Sequence, residues 1–164
     1  MPTSTSETPP APAPSLYWED FAVGQVREFG QYAVTRDAVL AFAREFDPQP
    51  FHLDDAAAER SLFGRLSASG WHTCSIAMRM MCDGYLHDAA SLGSPGLENI
   101  RWSHPVHPGD TLHIRLTVLE TRPLASRPTV GLVRSNWNVM NQDAVTVLTM
   151  EGWGFFGRRS ATTT

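Results

Sequence analysis

Cysteine is scarce in this sequence, and no apolar run is long enough to cross a bilayer. The two cysteines, Cys74 and Cys82, lie eight residues apart in a segment with helical spacing, about 12 Å apart on a straight helix. A disulfide cannot span that distance, so both thiols are expected to be reduced and packed as small apolar side chains. We therefore expect neither a small cross-linked secreted module nor a membrane protein.

An excess of positive charge is also missing. The chain has 13 Lys and Arg against 17 Asp and Glu, a formal net charge of -4, which gives no sign of a nucleic-acid-binding surface. Residues 1–15 are rich in Pro, Ser and Thr and lack the basic and apolar segments of a secretory signal. We expect this tail to be disordered and the protein to be cytoplasmic.

The length and the hydrophobic content of the chain are typical of one globular domain. Hydrophobic residues make up 42% of the 164 residues, enough for one core. We expect a single domain over residues 16–158, with a flexible terminus at 159–164. Asp54 and Asp55 lie at the start of a short predicted helix without a second His at ligand spacing, so they predict a solvated helix start and no metal site.

Helical spacing dominates the first half of the chain and strand alternation the second. Apolar residues recur at helical intervals over residues 36–46, 53–62 and 71–86, with Thr35 as a candidate N-cap. Residues 91–96 are rich in Ser and Gly and predict a loop. Strands are predicted over residues 26–34, 111–121, 130–141 and 144–156. The fold class is α+β: an antiparallel sheet wrapped on one long helix.

Residues 47–52, with the sequence DPQPFH, place a carboxylate and an imidazole five positions apart. Pro48 and Pro50 fix their own φ angles and bias Asp47 and Gln49 out of the helix, which predicts a rigid elbow. Asp47 and His52 then form either a catalytic acid–base pair or only a helix stop with two polar side chains. These six residues alone leave both interpretations open.

The start of the long helix is the second candidate site. Ser69 and Gly70 precede Trp71, at a position where helical N–H groups have no intrahelical acceptor. Such a terminus stabilises negative charge on a carbonyl oxygen, and Gly allows close approach. An ordinary helix cap is the simpler alternative.

Three separated motifs resemble one family in the same order. DPQPFH resembles the D-x-[N/Q]-P-x-H signature of MaoC-like dehydratases, the (R)-specific enoyl-CoA hydratase group of the hot-dog fold. Residues 68–73, ASGWHT, are similar to the start of the hot-dog helix, and residues 101–112 to the family's R-W-x-x-P-V-x-P-G-D-T-L motif. The resemblance covers roughly residues 17 to 157. It implies a hot-dog fold that pairs with a second copy, at least as a homodimer.

The resemblance also implies a reaction, the reversible hydration of trans-2-enoyl-CoA to (R)-3-hydroxyacyl-CoA. Asp47 and His52 would share one water, and the Gly70 N–H would stabilise the enolate oxygen. No cofactor or metal is implied, because coenzyme A is part of the substrate. The chain departs from the family at Ser69, where many relatives have His, and at Gln49, where Asn is commoner.

Other polar and aromatic residues are weaker candidates for binding the acyl group or coenzyme A. These are Gln49, Phe51, Arg65, Trp71, His72 and Arg101. Two other functions fit the same family: a thioesterase that directs water at the thioester carbonyl, and a non-catalytic acyl-CoA-binding subunit. The intact Asp47 and His52 pair favours hydration over both.

Overall fold

The computed structural model describes residues 13–159. The predicted tail at residues 1–15 and terminus at 159–164 therefore lie almost wholly outside the described residues, and the domain boundaries stay predictions. Within residues 13–159, no helix combines the length and hydropathy needed to span a bilayer. In the same range, no three His, Cys, Asp or Glu side chains are grouped to hold a metal ion.

Five antiparallel strands form one sheet, in the order β1-β3-β4-β5-β2. The strands are β1 (Val26–Ala33), β2 (Ser91–Trp102), β3 (Thr111–Pro123), β4 (Val130–Met140) and β5 (Thr146–Gly157). The helices are α1 (Arg36–Phe46), α2 (Asp55–Glu59) and α3 (Gly70–Met81). This arrangement confirms the predicted α+β class, a sheet around one long helix. Helix α2 is shorter than the predicted residues 53–62.

The core lies between α3 and one face of the sheet. Alternate residues of β3 are almost fully buried, among them Leu112, Ile114 and Leu116. Ile76 and Ala77 of α3 belong to the same apolar cluster. Burying a side chain of this size contributes about 1.5–3 kcal/mol, so this layer holds α3 and the cleft at its N-terminus in place.

Helix α3 and the turn after it bury only part of the predicted apolar stripe, which runs from Trp71 to Tyr85. The predicted stripe includes Trp71 and Met78, but these side chains are 58% and 51% exposed. Met81 and Tyr85 of the stripe are buried as predicted, and Ile76, Ala77 and Met80 are buried beside them. The helix is apolar on more than one side, so periodicity alone could not select the core face. After Met81 the helix widens into one π turn, Cys82–Leu86, where the sequence predicted continuous α-helix.

The predicted loop at residues 91–96 is wrong, because these residues begin strand β2. Gly93 and Gly96 have positive φ angles of 105° and 142°, and the pairing with β5 shifts register at both. Bulges of this kind are tolerated on an edge strand, and β2 pairs only with β5. The glycines that predicted a loop are the bulges of this strand.

Candidate active site

The elbow at residues 47–52 brings Asp47 and His52 together. Helix α1 begins after Thr35, whose side chain accepts the Ala38 N–H, and it ends at Phe46. The Asp47 N–H still bonds Ala43 O, but its φ of -148° takes the chain out of the helix. A single 3-10 turn, Pro50–His52, then returns the imidazole so that Nε2 lies 3.5 Å from Asp47 Oδ2.

One tautomer of His52 is selected by the backbone. Its buried Nδ1 lies 2.8 Å from the carbonyl oxygen of Ser67. Because a carbonyl only accepts, Nδ1 carries the hydrogen of the neutral ring and the Nε2 lone pair faces Asp47. Phe51 and Phe63 pack against the ring, with centroids 4.6 and 5.7 Å away. The imidazole is therefore fixed in both rotation and tautomer.

Asp47 is held as a carboxylate. Burial raises the pKa of its carboxyl group, but hydrogen bonding by Ser69 and Gln49 outweighs burial and lowers the pKa overall. The Gln49 Nε2 donates to Oδ1 at 2.7 Å, which leaves Oδ2 directed at His52. Two acceptors 3.5 Å apart do not bond each other, whereas a water molecule can donate one hydrogen to each.

Ser69 and Gly70 form the start of α3, beside the acid. The Ser69 hydroxyl accepts the Trp71 N–H at 3.2 Å, and the same hydroxyl lowers the pKa of the Asp47 carboxyl group, which links the helix cap to the elbow. Among residues 13–159, no acceptor is found for the Gly70 N–H. That N–H lies at the positive end of the helix dipole, where it is suited to an oxyanion.

The glycine at position 70 is required by Trp102. A Cβ built on Gly70 would lie 2.7 Å from the indole, closer than any real contact. The same indole donates its Nε1 hydrogen to Gly70 O at 2.9 Å and packs edge-to-face on Trp71, with ring centroids 5.4 Å apart. The close approach predicted at this glycine is therefore made by a side chain of the protein itself.

These groups line one cleft of about 320 Å³. Of the predicted site residues, its wall contains Asp47, His52, Ser69, Gly70 and Trp71. The rest of the wall comes from Phe63, Ala68, Thr73 and residues 102–106. Gln49 and Phe51 are not among the lining residues, but they contact the side chains of Asp47 and His52.

His72, Arg65 and Arg101 are not among the lining residues of this cleft. His72 points into the molecule and stacks on Phe42, with centroids 4.7 Å apart and planes 9° apart. Burial lowers the pKa of its imidazole, so the ring is neutral. Arg65 and Arg101 are exposed.

Trp102 and His104 are among the wall residues that were not predicted as site residues. His104 Nδ1 lies 2.8 Å from Thr146 O, which fixes its ring at the cleft. Both residues fall inside the motif at residues 101–112. Nothing in that motif indicates that it folds back against the start of α3, because this contact joins residues 32 positions apart.

A second cavity, of about 360 Å³, lies on another side of α3 and is mainly apolar. Cys74, Met78 and Met81 of the helix face residues of β2, β4 and β5 across it. Thr73 lines the cleft and the next residue, Cys74, lines this cavity. The two spaces are therefore neighbours at the first turns of α3.

Residues 20–137 match the family model described as the MaoC-like domain. The chain belongs to this family. A solved MaoC-like dehydratase from Rhodospirillum rubrum is 42% identical, with a TM-score of 0.83 over 90% of this chain and 100% of that chain. The sequence-based assignment to MaoC-like dehydratases with a hot-dog fold is thus confirmed.

Two further similar proteins share less sequence with this chain. An R-hydratase from Pseudomonas aeruginosa is 24% identical, with a TM-score of 0.69 over 88% of this chain and 87% of its own, which shows a shared fold. The uncharacterized protein YdeM of Bacillus subtilis is 28% identical over 129 residues, 79% of this chain and 90% of YdeM.

Proposed function

We propose that this MaoC-like protein catalyses the reversible hydration of trans-2-enoyl-CoA thioesters to (R)-3-hydroxyacyl-CoA, and that it acts in the cytoplasm. The observation that carries the proposal is the pair of fixed acceptors, His52 Nε2 and Asp47 Oδ2, 3.5 Å apart in the same cleft as the Gly70 N–H, which has no acceptor among residues 13–159. The R-hydratase and dehydratase neighbours support this class of reaction.

In the hydration direction, one water donates a hydrogen bond to each of the two acceptors. One of them removes a proton as the water oxygen bonds to the β-carbon, and the electron pair of the alkene moves to the thioester oxygen. The Gly70 N–H and the dipole of α3 stabilise this enolate. A proton then returns to the α-carbon, so that H and OH have been added across the double bond.

The acyl part of the substrate is proposed to enter the second cavity. Its volume and apolar walls suit a hydrocarbon chain, and it adjoins the cleft through Thr73 and Cys74. Coenzyme A is then the carrier outside the cleft. The proposed steps use only protein groups and water.

We also propose that the working unit is at least a homodimer. Strand β2 is an edge strand whose outer side is unpaired, and nearly all of its residues are exposed. Trp71, Met78 and Leu97 are exposed apolar residues on α3 and β2. A second copy related by a two-fold axis would cover this surface with its own equivalent residues.

The hydratase proposal predicts that Asp47→Asn and His52→Ala each lower crotonyl-CoA hydration roughly 10²- to 10⁴-fold. The rate is measured as loss of the enoyl absorbance, and circular dichroism shows that each variant is folded. Asp55→Asn is the matched control, because it removes an exposed carboxylate paired only with Arg36. Full activity in either site variant would contradict the assignment.

Ellman's reagent, added to the same assay, distinguishes a thioesterase from a hydratase. A hydratase leaves the thioester intact, so no thiol is released while the enoyl absorbance falls. Thiol release by the wild type that Asp47→Asn abolishes would instead establish a thioesterase. A wild type that binds crotonyl-CoA without either change would indicate a binding subunit.

A further inference from the structure

Residues 66–69, which we call the strap, connect the elbow side of the cleft to α3. The strap is fully buried, and its Ala68 N–H donates to Val106 O at 2.8 Å. Two successive carbonyls of the strap accept from imidazoles. His52 Nδ1 lies 2.8 Å from Ser67 O, and His107 Nδ1 lies 2.8 Å from Leu66 O.

His107 is held from its other side by a buried turn. Its own N–H donates to Asp110 Oδ2 at 2.8 Å, and Gln142 Nε2 donates to Asp110 Oδ1 at 3.1 Å. The Asp110 carbonyl accepts the Val34 N–H at 2.8 Å, just before the cap of α1. The backbone of His107 is thus joined through Asp110 to the start of α1 and to the β4–β5 hairpin, while its ring contacts the strap.

Packing alone does not account for a histidine at position 107. The imidazole is buried, and burying a polar ring without a hydrogen-bond partner is unfavourable. The bond from the ring to Leu66 O is what distinguishes histidine from an apolar residue of similar size at this position. The ring is not part of the cleft wall, whereas the preceding residues 102–106 are. The bond of the ring itself that leads towards the cleft is the one to the strap, at Leu66 O.

We propose that His107 is a positioning residue for the proposed hydration: by holding Leu66 O it sets the strap, and thereby the Ser67 carbonyl that selects the tautomer of His52. The same strap ends in Ser69 and Gly70, so His107 also sets the start of α3 relative to the elbow. The expected effect of His107 on the reaction rate rests on the proposed function, whereas its expected effect on the tautomer of His52 does not.

The test compares three substitutions. Asn places an amide N–H where Nδ1 lies in the histidine ring, Gln places it further out, and Phe keeps a ring without a donor. We expect His107→Phe and His107→Gln to lower kcat roughly tenfold to a hundredfold with little change in KM, because the catalytic groups shift while the cleft wall remains. His107→Asn should stay within about threefold of wild type, as expected for a restored hydrogen bond.

Trp18→Phe is the matched control. It also removes one side-chain bond to a backbone carbonyl, Trp18 Nε1 to Leu132 O at 3.1 Å, but at the opposite end of β4 from the β4–β5 hairpin. Its kcat should equal that of wild type even if its melting temperature falls. Equal losses of kcat in Trp18→Phe and His107→Phe would overturn a positioning role.

A second readout is independent of activity. In protein labelled with ¹⁵N-histidine, the His52 ring should be in the Nδ1–H form, with its signals assigned from His52→Ala. We expect His107→Gln and His107→Phe to shift this ring towards a mixture of tautomers, and His107→Asn to preserve it. An unchanged His52 tautomer in all three variants would overturn the proposal.

The two readouts also separate this inference from the proposed function. If wild type hydrates no enoyl thioester but the His52 tautomer depends on the donor at position 107, the positioning holds and the reaction is misassigned. If wild type is an active hydratase and His107→Phe changes neither kcat nor tautomer, the reaction stands and the positioning role fails.

Discussion

Ser69 shows how one hydroxyl connects the fold to the candidate chemistry. It accepts the Trp71 N–H as the cap of α3 and lowers the pKa of the Asp47 carboxyl group. Ser69 also lies in the cleft wall beside Gly70. The bond from Ser69 is one of the causes that lower the pKa of Asp47.

Replacing the Ser69 hydroxyl should change both the stability of the protein and the acid limb of its pH–rate profile. Ser69→Ala is expected to lose about 1 kcal/mol of stability through the missing cap. Because the folded pKa of Asp47 is lowered, its ionised form stabilises the protein above the unfolded pKa of about 3.9, and this stabilisation is lost as pH falls through the folded pKa. Without the Ser69 bond the pKa of Asp47 rises, so activity should fail at a higher pH than in wild type.

The measurement is a pH–rate profile on the acid side together with urea unfolding at neutral pH. Ser75→Ala is the control, because Ser75 lies on the same helix and bonds only Trp71 O at the exposed surface. An acid limb in Ser69→Ala that coincides with wild type would refute the link between Ser69 and Asp47.

At the scale of elements, helix α1 was predicted with its observed boundaries. Thr35 supplies a side-chain cap and the residues after Phe46 carry two prolines, so local chemistry determines both ends. The buried face of α3 and the beginning of β2 were not predictable in this way. Both depend on what packs against them: a sheet on one side of α3, and an edge position that tolerates the bulges at Gly93 and Gly96.

The α1–α3 contact through His72 and Phe42 should make stability sensitive to mild acid. Burial lowers the folded pKa of His72, so its contribution is complete above the unfolded value of about 6.5 and is lost as pH falls below it. In His72→Phe the ring stacks without titrating, and stability should fall less between pH 7 and 5. The difference should be on the order of 1 kcal/mol for each unit by which the pKa is lowered.

Urea unfolding at pH 7, 6 and 5 measures this difference. His87→Phe is the control, since the His87 side chain is 69% exposed. It should keep the pH dependence of wild type. If His72→Phe kept the same slope as wild type, His72 would not be the group responsible.

At the scale of the molecule, the motifs predicted the family, the antiparallel sheet and the elbow. They did not predict that residues 102–106 close the cleft opposite Asp47, because that contact is set by the path of the chain between β2 and β3. They also gave no indication that Trp71 and Met78 face outwards on α3. Those exposed residues are where the proposed second copy is expected.

The dimer proposal predicts that Met78→Arg produces a smaller particle. A charged side chain at a buried two-fold contact is opposed by its desolvation and by its own symmetry mate. Size-exclusion chromatography with light scattering should show wild type at twice the chain mass or more and Met78→Arg shifted towards one chain. Val23→Arg, at another exposed apolar position, should leave the mass unchanged. A monomeric wild type would refute the proposal.

The sequence separation of the hydrogen-bonded residues around the cleft also indicates which contacts form early and which form late during folding. Asp47 and His52 are close neighbours in sequence, but Leu66 is held by a residue 41 positions later and Gly70 by one 32 positions later. Contacts that close such long loops form late, after local helices. Asp47 and His52 can therefore come close to each other early in folding. The contacts that fix their geometry relative to α3 form only once residues up to Gln142 have folded.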